Sequence, residues 1–179
     1  MIAFRTDTFY GLGVDPFNGA AVDRLRALKG REDDKPILLL ISDLGEIDRV
    51  IVEQTPEFIE LAAKFWPGPL TIIGKATADL PEGITAGTGT VGVRLPADEK
   101  VRELVRACGG VLTATSANPA GREPARSAED VRGYFPEGIE LIIDDGEVTA
   151  TEPSTVVDAI ASPPRVIREG AIAAELIVD

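Results

Sequence analysis

The side chains in this sequence best suited to chemistry are cations and small hydroxyls. Lys29-Gly-Arg31 and Lys35-Pro36 put three cations in one short stretch, Arg94 follows Val91 and Val93, and Arg168 precedes Glu169-Gly170. Thr113-Ala-Thr-Ser-Ala-Asn118-Pro-Ala-Gly121 gathers hydroxyl and amide groups where a strand should end, a usual ligand position in open α/β sheets. A guanidinium presents a planar fork of donors to carboxylate or phosphate, so the set points to anion recognition and charge neutralisation. Each member also has a plainer reading. Lys29 and Arg31 fall at a helix C-terminus, where cations complement the dipole; Arg94 in an alternating strand would face solvent; Thr113 to Gly121 could be a turn with Asx and Ser caps. Both readings stand on the residues alone.

The chain contains no histidine, which removes Ser-His-Asp and Cys-His dyads, HExxH zinc sites and any imidazole base. The single cysteine, Cys108, rules out an internal disulfide framework and is expected to pack in the core near a helix end. Eighteen Lys and Arg against thirty Asp and Glu give a net charge of −12, which opposes a long basic groove for nucleic acid. Gly87-Thr-Gly-Thr-Val-Gly92 satisfies GxGxxG, but Val91 to Leu95 reads as a strand stopped by Pro96. A dinucleotide site needs a helix there, leaving a plain turn or a small-residue loop that admits a ligand. Walker A and GxSxG sequences are absent.

The elements that must position these groups alternate between period two and period 3.6, the mark of an α+β fold. Strands are expected at Ile2 to Phe4, Ile37 to Ile41, Leu70 to Ile73, Val91 to Leu95, Val111 to Thr115, Leu141 to Ile143, Thr155 to Asp158 and Val166 to Ile167. Asn18 caps a helix running to Lys29-Gly30; Thr55-Pro56 opens another; Asp98 to Cys108 is amphipathic; Ser127 to Asp130 forms a capping box; an Ala-rich helix follows Ala171. No repeat or linker interrupts the chain, so residues 1–179 read as one domain around a twisted mixed β-sheet with flanking helices. No apolar run approaches the roughly 20 residues of a membrane span and no signal peptide is legible, so a cytoplasmic protein without membrane or DNA partners is expected.

Taken in order, Arg5-Thr-Asp-Thr-Phe-Tyr-Gly-Leu-Gly13, Lys29-Gly-Arg31 with Lys35-Pro36, Trp66-Pro-Gly-Pro-Leu-Thr71, Val91-Gly-Val-Arg-Leu-Pro96, Thr115-Ser-Ala-Asn118, Pro153-Ser-Thr-Val-Val-Asp158 and Arg168-Glu-Gly170 resemble the YrdC family, the threonylcarbamoyl-AMP synthases of tRNA modification. The resemblance implies a YrdC-like domain with a central anion-binding cleft. It also implies a nucleotidyltransferase joining L-threonine, bicarbonate and ATP, with Mg²⁺ carried by the nucleotide and no metal held by the protein. Downstream proteins would transfer the threonylcarbamoyl group to adenosine 37 of tRNA. By the same resemblance, Lys29, Arg31, Ser116 and Asn118 are catalytic. Arg31, Lys35, Thr90, Ser116 and Arg168 hold ATP, while Thr8, Arg94, Ala114 and Ser154 hold threonine. The sequence departs from the family at Arg5, usually proline, which would add a charge beside the threonine pocket. It departs again at Leu40, which some members replace with histidine, and Met1 falls where members are already inside a strand. Two other readings are an RNA-binding YrdC-like module and a carbamoyl-adenylate transferase like the hydrogenase-maturation domain.

Overall fold

A computed structural model describes residues 1–30, 35–150 and 152–178. Strand β1 (Ile2–Arg5) turns back into β2 (Tyr10–Gly13), and α1 (Gly19–Leu28) follows. The Asn18 side chain accepts from the Ala21 N–H at the start of α1, and Val22 and Leu25 carry its buried face. Then come β3 (Leu39–Ile41), α2 (Pro56–Phe65), β4 (Leu70–Lys75), the short α3 (Glu82–Thr85), β5 (Thr90–Arg94) and α4 (Glu99–Ala107). Next are β6 (Val111–Thr113), β7 (Thr115–Ser116), α5 (Ala128–Tyr134), β8 (Leu141–Ile143), β9 (Thr155–Asp158), β10 (Arg165–Arg168) and α6 (Glu175–Val178). The predicted caps form as read: Thr55 accepts from Phe58 with Pro56 at the first helical position, and Ser127 and Asp130 complete a capping box.

The strands do not form the single sheet expected. They divide into a four-stranded sheet, β7-β2-β1-β8, and a six-stranded sheet, β10-β9-β4-β5-β3-β6, each with parallel and antiparallel pairs. The reason lies at Ala114, where the strand predicted over Val111 to Thr115 breaks. Thr113 pairs with Leu39, the Ala114 N–H bonds Leu38 O, and Thr115 pairs with Leu12 in the other sheet. The chain therefore crosses between sheets within two residues and leaves Thr115 and Ser116 on the seam.

Period-two alternation sorts the six-stranded sheet into two faces. Leu39, Ile41, Leu70, Ile72, Val91, Val93 and Val157 turn into the main core, each such side chain contributing about 1.5–3 kcal/mol on burial. Residues of the other parity face the second sheet. A smaller cluster of Phe4, Leu40, Val101, Val105 and Leu112 seats α4. Cys108 corrects its expectation: it is exposed, because it is the C-cap of α4, where the helix ends before Gly109 and Gly110, both at positive φ, turn the chain into β6. The helix predicted from Ala171 begins only at Glu175. Among the described residues no helix is long and apolar enough to cross a membrane.

Candidate active site

Between the sheets lies a cleft of about 830 Å³, lined by Thr6, Thr8 and Tyr10 from one side and by Thr71, Gly92 and Arg94 from the other, with Ser154 and Arg168 at its β9 and β10 wall. Arg94 does not face solvent as strand alternation alone predicts. Its face of β5 is covered by the second sheet, and the side chain is 2% exposed. Its Nε donates to Gly68 O (3.1 Å), its Nη1 to Thr8 Oγ1 (3.2 Å), and its Nη2 pairs with the Asp7 carboxylate. Gly68 belongs to the Trp66 to Thr71 turn, which Trp66 Nε1 closes by donating to Leu70 O (2.7 Å). A side chain at Gly68 would lie 2.3 Å from Phe65 O, so only glycine allows this turn.

Further along the same sheet Arg168 Nη2 donates to Ser154 O (2.8 Å), and the Ser154 and Thr71 hydroxyls are 2.9 Å apart. Burial lowers the proton affinity of both guanidiniums. Asp7 opposes that shift at Arg94, whereas at Arg168 the charge of Arg94 adds to it. Two like charges that line one cleft favour an anion bound there.

Of the predicted threonine-binding residues, Thr8, Arg94, Ala114 and Ser154 all line this cleft. The Ala114 N–H is already committed to Leu38 O. Of the predicted ATP-binding residues, Lys35, Ser116 and Arg168 line it. Thr90 does not: it lies on the face shared by Gly92 and Arg94 but one pleat further out, its hydroxyl 2.9 Å from that of Thr88. Arg31 lies outside the described residues.

Lys29 sits under the wall rather than in it. It is 4% exposed, and its Nζ donates to Ser116 O (2.6 Å), Thr115 Oγ1 (2.9 Å) and Ser116 Oγ (3.4 Å). Asn118 is likewise absent from the lining; its Nδ2 donates to Pro119 O and Arg122 O and shapes the turn after β7, while its Oδ1 is buried without a partner. The Thr113 to Gly121 segment thus places Ser116 at the cleft and Asn118 in the turn. The GxGxxG match resolves as a turn, with Gly87 and Gly89 at positive φ before β5.

Arg5 does not reach the cleft. Its guanidinium is drawn to Asp145 (3.4 Å) and Asp98 (3.9 Å), whereas Leu40, the other departure, does line the cavity. Two residues at this site were not singled out from sequence. Thr71 was legible in principle, because it shares strand parity with Ile73 on the cleft face. Asp7 was not, since only the fold shows that the turn before β2 meets the end of β5.

Known proteins resemble this chain along most of its length. A threonylcarbamoyl-AMP synthase of Pyrococcus abyssi is 38% identical over 178 residues, covering 99% of this chain and 52% of that protein. This chain thus spans about half the length of that relative. One from Halorhodospira halophila is 37% identical over 143 residues, covering 80% of this chain and 75% of its own. The structure of P. abyssi Sua5 complexed with L-threonine superimposes with a TM-score of 0.93 at 38% identity, covering 98% of this chain and 52% of that one. The Sua5/YciO/YrdC profile, described as telomere recombination, matches residues 1–170, and the chain belongs to that family.

Proposed function

We propose that this protein forms L-threonylcarbamoyl-AMP and pyrophosphate from L-threonine, bicarbonate and ATP, for the threonylcarbamoyladenosine modification of tRNA. The observation that carries the reading is the convergence of Arg94, bonded to Thr8, and Arg168, bonded to Ser154, on one cleft. The relatives' names and the threonine complex support the same substrates.

Threonine amine and bicarbonate combine with loss of water to an N-carboxylate. One carbamate oxygen then attacks the α-phosphorus of ATP, and the bond to pyrophosphate breaks. The nucleophile is already an anion, so the phosphorus step requires no base, in keeping with a chain that has no histidine. Such transfers depend chiefly on positioning and charge neutralisation. Arg94 holds the threonine carboxylate, with Thr8 and Ser154 beside it. Lys35 at the exposed mouth, Arg168 and Ser116 hold phosphate and ribose oxygens. Lys29 fixes Ser116 from beneath. Mg²⁺ enters as the counter-ion of ATP, since Glu123 is the one carboxylate among the described lining residues.

The test supplies L-threonine, bicarbonate, Mg²⁺ and ATP and measures pyrophosphate and a new adenylate. Pyrophosphate release independent of threonine and bicarbonate rejects the reading. Carbamoyl phosphate in their place tests the carbamoyl-adenylate alternative. RNA binding that weakens steeply with salt would support the RNA-binding one. Arg31→Ala is expected to abolish turnover while preserving the fold. A cytoplasmic location fits the use of the product on tRNA.

A further inference from the structure

We propose that Asp7 is a positioning residue that fixes the guanidinium of Arg94 so that its charge and its remaining Nη1 donor are held for the substrate carboxylate. The inference rests on the threonine reading above. An arginine side chain has five N–H donors. The Nε–H is taken by Gly68 O and one Nη1 donor by Thr8 Oγ1, while Nη2 is buried against the Asp7 carboxylate as an ion pair, which leaves the second Nη1 donor and the positive charge for a ligand. A charged N–H donor of this kind suits a carboxylate oxygen.

Asp7 acts from behind. Thr6, Thr8 and Arg94 line the cleft and Asp7 does not. The turn that presents it is held by Thr6, whose Oγ1 accepts from the Thr8 N–H (3.1 Å) and the Phe9 N–H (3.2 Å) and donates to Phe9 O (2.7 Å). Its backbone N–H also bonds Phe9 O (3.0 Å). One tied turn thus delivers Asp7 to Nη2 and Thr8 to Nη1 of the same guanidinium. A carboxylate also compensates a cation that is otherwise almost wholly removed from water.

The experiment compares wild type with Asp7→Asn and Asp7→Glu in the full chain, recording KM for threonine, KM for ATP, kcat and thermal unfolding. Asp7→Asn is expected to raise the threonine KM about ten-fold or more while the ATP KM stays within about two-fold, with Asp7→Glu recovering part of the loss. A purely structural role would instead lower thermal stability and leave the threonine KM of the folded enzyme unchanged, which overturns the proposal. If Asp7→Asn does not fold, Asp7→Glu decides. It keeps the charge but lengthens the arm by one methylene, so a displaced guanidinium raises the threonine KM selectively, and an unchanged KM refutes the assignment. Wild-type protein without threonine-dependent pyrophosphate release removes the threonine reading and this inference with it. Active wild type with insensitive Asp7 variants removes the inference alone.

Discussion

Gly92 lies on the cleft face of β5, and a Cβ there would sit 2.9 Å from Thr71 Cγ2. Ordinary carbon contacts are about 3.5–4.0 Å, so Gly92→Ala requires Thr71 to withdraw by roughly 0.6 Å or to rotate. Thr71 is buried and its hydroxyl is 2.9 Å from that of Ser154, so either response disturbs the hydrogen bond that orients Ser154. Overpacking of this kind costs about 1–3 kcal/mol, and alanine in place of a strand glycine returns about 0.5–1 kcal/mol, for a net loss of about 1–2 kcal/mol. For a chain of this size that lowers Tm by roughly 2–8 °C. The threonine KM should rise several-fold through the displaced Ser154. Thr71→Ser separates steric from hydroxyl effects, because it deletes Cγ2 and keeps the oxygen. In a thermal-unfolding cycle, Gly92→Ala with Thr71→Ser should be more stable than the two single losses predict, by about 1–2 kcal/mol, and should restore the threonine KM. Additivity within about 0.5 kcal/mol would refute the reasoning, since distant or indifferent sites behave that way.

Lys29→Met should lower kcat about ten-fold or more and also lower Tm, because Thr115 Oγ1 and Ser116 O lose a charged donor at the cleft wall; unchanged kcat in folded protein would contradict it. Ser127→Ala should cost about 1 kcal/mol in thermal unfolding by removing the cap of α5. The N–H groups of Arg126 and Ser127 and the Ser127 hydroxyl hold the Asp130 carboxyl below its ordinary range. Its contribution should therefore be complete above the unfolded carboxylate pKa of about 4 and fade as pH falls through the lower folded value, a loss that Asp130→Asn should abolish in an acid titration. L-threonine at about 100 times its Kd should stabilise the fold by about 2.7 kcal/mol, and L-threoninamide, lacking the carboxylate charge, by much less. Equal shifts in Tm would remove Arg94 from carboxylate recognition.

Local signals were legible because their causes are local. The Asn18, Thr55 and Ser127 caps depend on residues within one turn, and the motif order from Arg5 to Gly170 anticipates that Thr8, Lys35, Arg94, Ala114, Ser116, Ser154 and Arg168 line one cleft. What escaped depends on the second sheet. Nothing in Val91 to Arg94 says that the turn before β2 covers Arg94 with Asp7 and Thr8, so alternation misreads Arg94 as solvent-facing, and Val111 to Thr115 reads as one strand because the crossing at Ala114 has no local mark. Asp7 and Arg94 are far apart in sequence, and only the meeting of the turn before β2 with the end of β5 makes them a pair. Cys108 failed for the opposite reason: helical spacing puts it near the buried face, but the helix ends there.

The acidity of the chain makes the placement of its cations the decisive feature. With a net charge of −12, the protein as a whole repels ATP and threonine carboxylate alike, so any anion site must be built from charges withdrawn from their own acidic neighbours. Burial accomplishes this at Arg94, where one carboxylate engages one terminal nitrogen and leaves donors over. Arg168 is exposed and is arranged differently, its hydrogen bonds going to the neutral Ser154 rather than to an acid. Surface cations are treated otherwise: Arg5, Arg24, Arg49, Lys100 and Arg165 all end on carboxylates. Arg168 and Lys35, neither of them ion-paired with a carboxylate among the described residues, thus bring positive charge to the cleft lining, and the proposed reaction, whose nucleophile arrives as an anion, needs that charge more than it needs a base.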